Sequence, residues 1–245
     1  GFIYLSWGDY EQALKHFNTF RELLITLNEL YPTNTHYKTA LMNSSSHIGD
    51  TYLAKSEVET ALDYFKRNHE LVYVYYQEDV NNPVAKNNLS LNYTRLADIY
   101  IRLQDYEQAL VECEKSIEIA KELYASYPDS LDYKNNLASH LLRLGQIHYH
   151  RNQVEQSIQV LHECIQLCQE LYEAYPHYTD IKNILALCYQ WLGWIHEAEP
   201  NLEEAQKYYL LSHPLLVALV ETAPNHRDYR ANFEWIDSKL KELEA

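Results

Sequence analysis

Residues 83–128 read PVAKNNLSLNYTRLADIYIRLQDYEQALVECEKSIEIAKELYASYP, and their spacing decides the fold. From Pro83 to about Leu103, the apolar residues Leu89, Tyr93, Leu96, Ile99, Tyr100 and Leu103 recur at steps of three and four, the period of an amphipathic helix. This is helix A of a hairpin. Gln104 and Asp105 make the turn, with Asp105 placed to cap the next helix by accepting from its free N–H groups. Helix B then runs from Tyr106 to about Ser126 through Ala109, Leu110, Cys113, Ile117, Ala120 and Leu123, and Pro128 stops it. Ala97 and Ala109 lie at similar distances on either side of the turn. They are expected to face each other, because close helix approach needs small side chains.

The same pattern returns every 48 positions in both directions. Ala13, Ala61, Ala109, Ser157 and Ala205 keep that spacing, as do Glu11, Glu59, Glu107, Glu155 and Glu203. So do Gly1, Gly49, Ala97, Gly145 and Gly193, and the basic series Lys38, Lys86, Lys134, Lys182 and Arg230. No insertion breaks the register. A period of this length in a chain rich in helix formers, with only 5 Gly and 7 Pro, implies an all-α fold. We expect a right-handed solenoid of stacked antiparallel hairpins, about five repeats, in which each unit buries a face against its neighbours.

The hairpin signature is Leu-Gly or Ile-Gly, an aromatic three residues on, a turn, then Ala in helix B. It reads Ile48-Gly49-Asp50-Thr51-Tyr52 with Ala61 and Phe65, and Leu192-Gly193 with Ala205 and Tyr209. This resembles the tetratricopeptide repeat, whose usual period is about 34 residues. The extra length, about seven residues on each helix, adds roughly two turns to each. The longer variety is similar to repeats of bacterial multidomain proteins. The resemblance implies a repeat array over residues 1–224, entered partway through a helix A, and a capping helix over residues 225–245. It also implies the arm of a larger cytoplasmic protein, with an open apolar end at Phe2 and Ile3 suited to self-association.

Composition narrows the partners. The formal charge of −15 opposes a nucleic-acid backbone or an anionic membrane surface. No apolar run approaches the roughly 18 residues needed to cross a bilayer. Charge is uneven: residues 1–82 carry 6 basic and 11 acidic side chains, residues 83–151 carry 8 and 9, and residues 152–245 carry 6 and 15. A local cationic patch is therefore expected in the middle. Cys113, Cys164, Cys168 and Cys188 lie within helical patterns and lack the spacing of a disulfide framework. Cys164 and Cys168 share a helical face, but His162 points elsewhere, so no metal and no cofactor is expected. No glycine-rich phosphate loop, nucleophile elbow or His-Glu-x-x-His occurs, and no catalytic residue is assigned.

The resemblance implies a concave face lined by the A helices and a protein or peptide partner bound there. Carried over position by position, the groove would present Asp50, Arg95, Asp98 and Arg102, then Arg143, Gln146 and Tyr149, then Gln190, Trp191 and Trp194. Such a surface suits a peptide with acidic and aromatic anchors. The alternative is structural: arginines solvated or paired with Asp98, and tryptophans packed between repeats. A spacer or self-associating module without a peptide ligand is the second functional class. Pro214, inside the last helix B, is expected to kink or split it.

Overall fold

The computed structural model describes residues 1–244. After a short helix α1 (Phe2–Ser6), two series of helices alternate. The B helices are α2 (Tyr10–Leu30), α4 (Val58–Glu78), α6 (Tyr106–Ser126), α8 (Val154–Ala174) and α10 (Leu202–Thr222). The A helices are α3 (Thr35–Ala54), α5 (Pro83–Arg102), α7 (Leu131–His150) and α9 (Thr179–Ala198), with α11 (Arg227–Glu244) in the position of a last one. Within each series the first residues fall 48 apart. Stacked helix hairpins of this kind are a solenoid architecture.

The local causes repeat with the same period. Each A helix ends in a turn with a positive φ residue, at Gly8, Ser56, Gln104 and Asn152, while Pro200 holds the corresponding place in the last hairpin. The side chains of Asp9, Asp105 and Asn201 then accept from the N–H three residues on, at Gln12, Gln108 and Glu204, which satisfies donors that a helix start leaves open. Between hairpins, Asn34 and Asn82 cap the next A helix in the same way. The turn between hairpins is closed by an N–H that donates to the carbonyl three residues earlier, just past the end of helix B, as in Asn34 to Tyr31 and Ser130 to Tyr127.

Contacts divide the chain into two compact units, Gly1–Ile119 and the residues from Ala120 onward. In the first, α3 packs between α2 and α4, and α4 packs on α5. Its core includes Ala13, Phe17, Ile48, Ala61, Phe65, Leu96 and Ile99. In the second, α9 packs against α7, α8 and α10, and α11 packs on α10. Leu141, Leu161, Leu192, Tyr209 and Ile236 are among its fully buried side chains.

The closest seam contact differs from the expected pairing of small with small. A Cβ at Gly49 would come within 2.5 Å of the Phe65 ring, one at Gly145 within 2.8 Å of Leu161, and one at Gly193 within 2.3 Å of the Tyr209 ring. Each large side chain lies one turn beyond the small residue expected to face the glycine, so the missing Cβ accommodates a ring or a branched chain. Where Ala97 replaces glycine, the residue at the corresponding helix B position is the smaller Cys113, and both are fully buried. Ser157, the one non-alanine of its series, donates from Oγ to the Gly145 carbonyl at 2.7 Å.

Pro214 does not split α10, which is continuous from Leu202 to Thr222. The carbonyl that proline deprives of a helix partner is that of Leu210, an exposed position. Phe2 and Ile3 are 60% and 64% exposed. No helix among the described residues is long and apolar enough to cross a membrane.

Candidate functional site

In the first unit the predicted groove residues Asp50 and Arg95 meet. Both come from A helices, and the Arg95 guanidinium donates to the two Asp50 oxygens at 2.8 and 3.1 Å. Its carbon lies 5.8 Å from the centre of the Phe65 ring, the ring admitted by Gly49. Burial pushes the Asp50 carboxyl above its ordinary value, Arg95 pulls it back, and the nearby Asp98 adds to the rise. Arg95 thus ties α3 to α5 through Asp50, a partner on the preceding A helix. Arg102 stands exposed in the last turn of α5.

Beside this pair lies a small polar cavity of about 90 Å³, lined by Ser46, His47, Asn68, Asn88, Asn92 and Arg95 among others. Burial holds His47 below its ordinary pKa. The His69 ring and Asn92 Oδ1 approach to 2.7 Å.

The second unit gathers aromatic rings. Trp191 and Trp194 stack at 5.0 Å, and Tyr149 from α7 sits edge-on to Trp191 at 5.7 Å and tilted to Trp194 at 5.9 Å. His150 adds an edge contact to Trp191, and burial lowers its pKa. Gln190, Trp191 and Trp194 line a groove of about 590 Å³, whose other wall is α11 with Ala231, Asn232, Trp235 and Lys239. Arg143 and Gln146, on the same predicted face of α7, are partly buried and do not line it.

The α11 wall is the part that sequence reasoning missed. Residues 231, 235 and 239 recur at four-residue steps, so a wall is readable in a segment whose charges point to a polar cap. Its placement follows from the seam. Gly193 admits the Tyr209 ring, which meets Trp235 edge-on at 5.5 Å. The Tyr209 hydroxyl donates to Glu197 at 2.7 Å, and Lys239 donates to the same carboxylate at 2.8 Å. Burial alone would raise Glu197, but these hydrogen bonds overrule it and hold its pKa below the ordinary value.

The other candidates find structural places. Lys134 and Lys182 lie over Tyr124 and Tyr172, at 5.9 and 6.0 Å from the ring centres, and Lys38 pairs with Glu78. These three lysines therefore rest on a tyrosine or pair with an acid, and Lys182 is almost fully buried. Cys164 donates to the Ala138 carbonyl at 3.1 Å and touches Cys188 at 3.4 Å and Cys168 at 4.0 Å. All four cysteines are buried and reduced. Among the described residues, no group of three or more His, Cys, Asp or Glu side chains is placed to hold a metal ion.

Tetratricopeptide-repeat family profiles match residues 92–123 and 137–177. No curated protein matches the chain in sequence. Among solved structures, BtubC (BKLC) from P. vanneervenii is 14% identical, with a TM-score of 0.63 over 96% of this chain and 89% of that one. The Podosopora anserina putative kinesin light chain, with nearly identical TPR-like repeats, is 16% identical, with a TM-score of 0.52 over 84% of this chain and 89% of that one. At these identities the likeness is one of fold. The chain has a tetratricopeptide-like repeat fold, an architecture that suggests a protein–protein interaction scaffold.

Proposed function

We propose, with the tetratricopeptide-like repeat fold as premise, that this chain captures a peptide or partner helix on the faces of its A helices, as the binding arm of a larger protein. One observation carries this: the groove of about 590 Å³ between α9 and α11, walled by Trp191, Trp194 and Trp235. Large aromatic side chains that remain accessible in a concavity are the commonest anchors of a protein interface. Trp194 is 43% exposed, although the rings of Tyr149, Trp191 and Trp235 stand close by to bury it against. Arg95 plays a different part. An acidic anchor would have to displace Asp50 from it, so the aromatic groove supplies the affinity and the Asp50–Arg95 pair supports the scaffold.

Selection of random displayed peptides against the full chain tests this function. The retained peptides should lose binding to the Trp191→Leu/Trp194→Leu double variant while its helicity is unchanged. Peptides that bind the double variant equally well would refute the assignment. A second function, self-association, is favoured by the exposure of Phe2, Ile3 and Trp7. It requires sedimentation to report an assembly that Phe2→Glu with Ile3→Glu dissolves, and a monomer at all concentrations counts against it.

A further inference from the structure

The groove between α9 and α11 is lined by three indole rings and carries almost no free positive charge. Its one lining cation among the described residues is Lys239, which two carboxylates hold: Glu197 at 2.8 Å and Glu242 at 3.4 Å. That trio carries a net negative charge. The Lys239 ammonium also lies 5.8 Å from the centre of the Trp235 ring, so one wall of the groove already seats a cation. Trp194, partly exposed, comes from the other wall, and His150, edge-on to Trp191, has its pKa lowered by burial, which disfavours a further positive charge there. Residues 152–245, the stretch that supplies both walls, carry 6 basic and 15 acidic side chains.

Resting on the groove assignment above, we infer that this groove takes a basic peptide segment, with an arginine side chain laid between the Trp194 and Trp235 rings. Two physical terms favour it over the acidic partner that the sequence suggested. A guanidinium within about 6 Å of an indole face is attracted by the ring's quadrupole, and arginine also stacks on the ring plane. The acidic surroundings add long-range attraction for a basic segment and repel an acidic one. Gln190 and Asn232, on opposite walls, offer amide groups to the peptide main chain.

The test uses the full chain and three labelled peptides: Gly-Arg-Ser-Arg-Gly, the same peptide with citrulline for arginine, and the same with glutamate. Citrulline keeps the shape and planarity of arginine and removes its charge. The arginine peptide should bind, the citrulline peptide about tenfold more weakly, and the glutamate peptide more weakly still. Trp194→Leu should weaken the arginine peptide by about tenfold with unchanged circular dichroism. Equal binding of the arginine and citrulline peptides, both dependent on Trp194, would overturn the basic anchor and leave the groove assignment standing. Binding of the arginine peptide that ignores Trp194→Leu would overturn the inference, because that peptide would then sit outside the groove. An arginine peptide that does not bind overturns the inference alone, because the displayed-peptide selection judges the groove independently.

Discussion

Replacing Gly193 with alanine should destabilise the protein, although alanine is the better helix former. A Cβ at this position would lie 2.3 Å from Tyr209 Cε1 and 2.4 Å from Cδ1. Ordinary carbon contacts lie at about 3.5–4.0 Å, so the ring must retreat by about 1 Å. It has little room to do so. Tyr209 is fully buried, its hydroxyl is bonded to Glu197, and its ring meets Trp235. Overpacking of this kind costs about 1–3 kcal/mol, and removing a mid-helix glycine returns up to about 1 kcal/mol. The net loss should be about 1–2 kcal/mol, lowering the midpoint of thermal unfolding by about 2–8 °C in a chain of this length. Far-ultraviolet circular dichroism reads it directly. The natural control is the third hairpin, where Ala97 goes with Cys113. In a Tyr209→Cys background, which is itself destabilised by loss of the ring, adding Gly193→Ala should be stabilising by up to about 1 kcal/mol. A Gly193→Ala variant as stable as the parent, or one equally destabilising in both backgrounds, would refute the argument that the missing Cβ makes room for the ring.

Three further outcomes follow from buried polar groups. His140 is 1% exposed, and burial, followed by the charge of Arg143, lowers its pKa to about 3. Its folded pKa lies below the ordinary value of 6.5, so its contribution to stability is present above 6.5 and is lost as pH falls toward 3, at up to about 1.4 kcal/mol per pH unit. His140→Gln should flatten that limb in urea titrations run across the window. Ser157→Ala should cost no more than about 1 kcal/mol by thermal unfolding, because alanine already fills this position in the other hairpins and only one hydrogen bond is lost. The four buried thiols should resist a thiol-specific disulfide reagent in the native chain and react on unfolding. Burial raises the Cys188 pKa, and contact with Cys164 together with burial raises that of Cys168. Fast native labelling of any of them would contradict their placement.

What the sequence made legible was whatever the repeat enforces. The helix starts, the turn at Gln104 and Asp105, and the seam around Gly49, Gly145 and Gly193 recur along the chain, so one hairpin read correctly gives the rest. Groove chemistry depends on residues that do not recur and on distances between helices. Asp98 shares a helix with Arg95 and is visible in the sequence as a partner, whereas Asp50, one repeat earlier, becomes a partner only once α3 and α5 are side by side. Spacing pairs each glycine with the small residue at the level of the turn, because it gives level and not the reach of a ring from one turn further along. The lysine series is legible as a period but not as a contact, since the tyrosines beneath Lys134 and Lys182 come from the preceding B helix. In α11 the charged residues outnumber the aromatic ones, so its Trp235–Lys239 face reads as a cap until the fold sets it opposite α9 as a wall.

Binding of a partner in the aromatic groove of α9 and α11 is the central claim, and the chain carries its own reporters for it. It has 4 tryptophans: Trp191, Trp194 and Trp235 line the groove, and Trp7 stands 73% exposed in the first unit. Their indole N–H signals can be followed by nuclear magnetic resonance while a selected peptide is added. The Trp191, Trp194 and Trp235 signals should shift together along one binding curve while that of Trp7 stays in place. Saturating binding that moves only Trp7, or none of the four, would contradict the claim.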